Sequence, residues 1–102
     1  MGNNFDDSLG SVKFAQFGNY SFHIYDERGA QHNGPHFHVK FKGKDDLLSV
    51  DLETGKPYAM TNRKETREAL KCVRIYYKDP VRVADAKQLW ENLNPRRQSE
   101  NS

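Results

Sequence analysis

Cysteine is almost missing from this sequence. Cys72 stands alone among 102 residues, so no internal disulfide can form and nothing points to an oxidising compartment. No thiol-activating motif surrounds it, which makes it a small, partly buried side chain rather than a nucleophile. Long apolar runs are missing too: none approaches the roughly 20 residues that a bilayer-spanning helix needs. The first residues, Met1 to Asp7, are polar and acidic, unlike a signal peptide. Asp6 also stands where a myristoylation pattern needs Ser or Thr. The expected location is the cytoplasm, with no membrane partner. Apolar residues are scarce at 35 %, but the 12 % of aromatics, with six Phe, five Tyr and Trp90, bury much area each. One core is within reach of such a chain and two are not. There is no internal repeat and no linker long enough to divide domains.

Charge is nearly balanced, at +2 formally, but unevenly placed. Residues 1–61 hold six Lys/Arg and eight Asp/Glu, a net of −2, whereas residues 62–97 hold ten and five, a net of +5. An anionic partner is expected to meet the C-terminal third.

What is present reads as strands followed by helices. Residues 1–10 and 94–102 are polar and predict disordered ends around one domain over 11–93. Val12–Phe17 and Tyr20–Tyr25 flank Gly18-Asn19, the pattern of a hairpin. His36 to Lys42 alternates most clearly: Phe37, Val39 and Phe41 on one side, His36, His38, Lys40 and Lys42 on the other. After a turn at 43–46, Leu48, Val50 and Leu52 alternate with Ser49, Asp51 and Glu53. From residue 62 the period becomes 3.6. Asn62 and Glu65 predict a capping box, and Thr66, Leu70, Val73 and Tyr77 an apolar stripe. Asp79-Pro80 predicts the start of a second helix, with Val83, Ala86, Trp90 and Leu93 inward. The expected fold is α+β: an antiparallel sheet of about four strands, then two helices packed on one face. The opposite sheet face is then wet, and would carry His36, His38, Lys40 and Lys42. If the strands neighbour in register, Ser21, His23, Tyr25, Asp51 and Glu53 join them.

Three chemistries fit the polar residues, two on this face and one on the first helix. His36-x-His38 on a strand sets two imidazoles about 6.6 Å apart along the chain. With His32 or His23 as a third ligand and Asp51 or Glu53 as a fourth, they could hold a divalent transition metal. Histidines titrate near neutrality, so the same residues could act as base and acid, with Lys40 or Lys42 stabilising a phosphorane as in a metal-independent ribonuclease. Arg63, Arg67, Lys71, Arg74 and Lys78, spaced 4, 4, 3 and 4, lie within an 80° arc of the first helix. They could follow a phosphate backbone or meet an acidic protein. A solvated strand face, and Lys/Arg stems snorkelling around a core helix, account for the same residues without a ligand.

His32-Asn33-Gly34-Pro35-His36-Phe37-His38-Val39 resembles the His-x-Pro-Pro-His-Phe-His-Val signature of the bacterial domain-of-unknown-function family 4160. Phe17-Gly18 before a strand and Asp51-Leu52-Glu53-Thr54-Gly55 resemble that family's order of elements, over about residues 14–93. Gly34 replaces the first Pro of the signature, while all three histidine positions are kept. The family has no firmly established activity. The resemblance implies a small bacterial or phage protein, often one half of a toxin–antitoxin-like pair. It makes His32, His36 and His38 the candidate site residues, and RNA or a small antitoxin-like protein the expected partner. A non-catalytic module that binds and blocks another protein stays open beside these readings.

Overall fold

Gly18, at φ +59°, reverses the chain between β1 (Ser11–Phe17) and β2 (Tyr20–Tyr25). β3 (His36–Phe41), β4 (Asp45–Asp51) and a two-residue β5 (Pro57–Tyr58) follow. The strands pair antiparallel in the order β1-β2-β3-β4-β5, so each neighbours the next in sequence. Two helices complete the fold, α1 (Lys64–Tyr76) and α2 (Pro80–Leu93). The computed structural model describes residues 11–26 and 34–94. His32 lies outside these residues, as do the expected disordered ends at 1–10 and 94–102 apart from Asn94, which caps α2. The expected α+β class holds, with a fifth strand added to the four read from alternation.

Alternation makes the sheet two-faced. Phe22, Ile24, Phe37, Val39, Leu48 and Val50 are buried and form the sheet's side of the core. Phe22 stacks on Phe37 at 5.0 Å between ring centroids, and Phe14 meets both edge-on at 5.8 and 5.3 Å. Phe14 sits where the β1–β2 register shifts, between Lys13 and Ala15. The bulge turns an extra side chain toward the core. Tyr76 of α1 packs on Phe14 and Phe22 at 5.6 and 5.4 Å, which places α1 over this apolar face. Each such aromatic pair contributes roughly 0.5–1.5 kcal/mol beyond its burial.

Three local expectations need correction. Lys42 is not on the strand: β3 stops at Phe41, and Lys42 and Gly43 turn the chain at φ +54° and +72°. Positive φ at both central positions matches the twist of a two-stranded ribbon. The Lys42 N–H donates to the Asn19 carbonyl at 2.7 Å. The capping box at Asn62 does not form. Arg63 is the N-cap with no side-chain cap bond, and Glu65 pairs instead with the Arg63 guanidinium at 3.3 Å. The inward stripe of α1 is Thr66, Ala69, Val73 and Tyr76, with Leu70 and Tyr77 at its margin. The second helix agrees with the sequence. Asp79 Oδ1 accepts from the N–H groups of Val81 and Arg82 at 3.1 and 3.3 Å, Pro80 occupies the first turn, and Val83, Ala86 and Trp90 are buried.

Candidate functional site

Pairing registers bring one residue from every strand into a single row on the polar face. Lys13 lies opposite His23, His23 opposite His38, His38 opposite Ser49, and Ser49 opposite Tyr58. At about 4.8 Å per strand the row spans roughly 19 Å. Beside it, Gln16, Ser21, Lys40 and Asp46 form a second row. His23 and His38 are therefore cross-strand neighbours. His23 Nε2 lies 2.8 Å from Ser21 Oγ, and His38 Nδ1 lies 3.4 Å from Ser49 Oγ, at the long limit of a hydrogen bond. The Tyr25 ring stands edge-on to His38 at 4.8 Å.

His36 departs from expectation. It is only 5 % exposed, so it is not on a wet face. The cause is the last turn of α2. The Asn94 amide donates to the Tyr25 carbonyl at 3.1 Å and ties that turn to the end of β2. The Trp90 indole then lies 5.3 Å from the His36 ring. His36 Nδ1 donates to the Gly34 carbonyl at 2.9 Å, which fixes the ring orientation. Its ring stays 5.3 Å from that of His38. His36 thus supports the site from below, while His38 and His23 are half-buried and reachable.

Electrostatics separate the roles further. Burial lowers the His23 pKa, and the nearby Lys40 and Lys13 ammonium groups lower it further, against a smaller opposing pull from Asp46. At neutral pH His23 is a neutral imidazole. Burial opposes the charge on Lys40, but hydrogen bonds to the Tyr25 hydroxyl and the Asp46 carboxylate outweigh it and raise its pKa. The Lys40 Nζ to Asp46 Oδ1 distance is 3.0 Å. The polar face therefore holds a neutral base beside a fixed cation. Cys72 is half-buried on α1, and burial together with Glu68 raises its thiol pKa, which agrees with an unreactive side chain.

The basic stripe of α1 is elsewhere. Arg63, Arg67, Lys71, Arg74 and Lys78 are exposed, but α1 covers the apolar face, on the side of the sheet away from His38. Arg63 pairs with Asp45 at 3.3 Å and Lys71 with Glu68 at 3.4 Å. Lys40 and the histidines come together; the helix stripe does not join them. Lys42 instead borders a groove of about 460 Å³ at the hairpin end of the polar face, with Lys13, Asn19 and His23. A second cleft, of about 340 Å³, lies at the other end against His36, Asp51 and Tyr58. A further cavity, of about 580 Å³, runs between β1 and α2 along Phe14, Phe17, Arg82 and Leu89, away from the histidines. Among the described residues no three His, Cys, Asp or Glu side chains converge as a metal site; His32 is outside them. Tyr58 escaped the sequence reading because a two-residue strand carries no alternation. His23 could be placed only by register.

Fold and site define a small α+β domain with a helix-covered apolar sheet face and a histidine- and lysine-bearing polar one. Residues 19–81, more than half of the chain, match the model of a family described as Domain of unknown function (DUF4160), and the chain belongs to that family. No curated protein matches the chain, and no solved structure does.

Proposed function

We propose that this domain acts on RNA, as a small toxin-like or regulatory protein, through the polar face of its sheet. The observation that carries the reading is the His23–His38 pair, set across two strands and flanked by Lys40. Exposed sheet faces suit single-stranded RNA because splayed bases stack on rings while cations meet phosphates. Lys13 and Lys42 offer charge at the hairpin end, and Tyr58, at 41 % exposure, offers a ring at the far edge.

The chemistry this set can perform is cleavage at a ribose 2′-hydroxyl. His23, neutral at pH 7, accepts the hydroxyl proton as the 2′-oxygen attacks phosphorus. The Lys40 ammonium stabilises the charge that develops on the phosphoryl oxygens. The bond to the 5′-oxygen breaks, and that oxygen takes a proton from the His38 imidazolium. The products are a 2′,3′-cyclic phosphate and a 5′-hydroxyl, and the two imidazoles have exchanged protonation states.

Incubating the purified protein with mixed-sequence RNA between pH 5 and 8 tests this. Cleavage with cyclic-phosphate ends is expected, falling by about 10²-fold or more in His38→Gln and in His23→Gln. Binding without cleavage, unchanged by either substitution, would leave the face a binding surface only. Neither binding nor cleavage would remove the reading. Induced expression in a bacterial host tests the toxin aspect: wild type should slow growth and His38→Gln should not.

A further inference from the structure

The polar face changes sign along its length. The hairpin end carries Lys13 and Lys42 around one groove. The opposite end carries Asp51 and Glu53 around the 340 Å³ cleft, walled by Gly34, Pro35, His36 and Tyr58. That volume falls within the range of small-ligand sites. Glu53 pairs with the Lys87 ammonium at 3.7 Å, which leaves two carboxylates against one cation, so the cleft favours a group that presents hydrogen-bond donors. The exposed Tyr58 ring on the cleft wall favours a flat one. Asp51 Oδ1 accepts from the N–H groups of Glu53 and Thr54 at 2.8 and 3.2 Å, which holds the carboxylate in one orientation.

We propose that this cleft is a nucleobase subsite that prefers guanine; the inference rests on the RNA reading above and names its specificity. Of the four RNA bases, guanine alone sets two donors side by side on its Watson–Crick edge, N1–H and N2–H. Two carboxylates on one cleft wall can accept such a pair, Asp51 through Oδ2 because its Oδ1 already takes two N–H groups, and Glu53 beside it. Adenine and cytosine place an acceptor beside their single amino group, and uracil flanks its N3–H with two carbonyls. Each of those acceptors would face a carboxylate oxygen. A base held here lies beside His36, whose ring is 5.3 Å from His38, so the adjoining ribose and phosphate reach the histidine pair.

Trp90 is the only tryptophan and packs on His36, which makes its fluorescence a reporter of the cleft. Titration of the full chain with guanosine, adenosine, cytidine and uridine 5′-monophosphates, checked by equilibrium dialysis, is the test. Guanosine monophosphate is expected to bind tighter than the other three by about tenfold or more. Asp51→Asn should abolish that preference. Glu53→Gln, at an exposed position, should weaken it without disturbing the Asp51 turn. Equal affinity for the four nucleotides, or no binding, overturns the subsite. RNA binding that survives alongside equal nucleotide affinities overturns the subsite and leaves the RNA reading standing. Guanosine preference in a protein that neither binds nor cleaves RNA overturns the RNA reading and leaves a guanine-nucleotide site.

Discussion

Gly55 holds a backbone φ of +79°, and a Cβ added there would lie 2.9 Å from the Tyr77 ring. That ring has little room to yield, because the Tyr77 hydroxyl donates to the Leu52 carbonyl at 2.7 Å. Gly55→Ala therefore carries both a left-handed backbone cost and a steric one. The expected loss is more than about 1 kcal/mol of stability, read from urea unfolding. A neutral outcome would mean that the turn relaxes independently of Tyr77. His23 sets a second expectation at this scale. Its pKa in the folded chain is below the ordinary 6.5, so the native state binds that proton less well than the unfolded state. The stability it contributes is complete above about pH 6.5 and is lost as pH falls through 6.5 toward the lower native value. Subtracting the stability–pH curve of His23→Gln from that of wild type should isolate this slope. A flat difference between pH 7 and 5 would mean that His23 is solvated in the native state.

At the scale of elements, the two helix starts make a matched comparison. Asp79 caps α2 through two N–H groups, whereas Asn62 caps nothing on α1. Asp79→Ala should cost about 1 kcal/mol and Asn62→Ala less than about 0.5 kcal/mol, measured by thermal unfolding. Equal costs would argue that the Asn62 box forms after all. The contrast also shows what sequence can carry. Asp-Pro restricts two consecutive residues to cap geometry, and it was legible. Asn62-x-x-Glu65 was a weaker pattern, and Arg63 supplied a competing partner for Glu65 at 3.3 Å. The alternation of β3 was legible because a period of two assigns faces without tertiary information. His36 was misread as wet because its burial comes from Trp90, 54 positions further on. The His23–His38 pairing depends on strand order, which alternation does not encode. His32, central to the family signature, lies outside the described residues.

For the whole molecule, the decisive feature is that two groups of cations among the described residues lie on opposite sides of one sheet. Lys13, Lys40 and Lys42 serve the polar face or its end, and Arg67, Lys71 and Arg74 serve the outer side of α1. A sheet and a helix layer separate the two sets, and at 0.15 M salt charges more than about 8 Å apart are largely screened. A single strand lying on the polar face therefore releases counterions against about three lysines only. The logarithm of its affinity should fall with that of salt concentration with a slope near −2. Reversing Lys13 and Lys42 to Glu should flatten the slope by at least about 1, whereas Arg67→Glu with Arg74→Glu should leave it unchanged. The opposite pattern would move the nucleic acid onto α1 and make the histidine row a structural feature of the sheet. The comparison is sharp because both double variants change net charge by the same −4, so any difference between them reports where the ligand lies, not how much charge the protein carries.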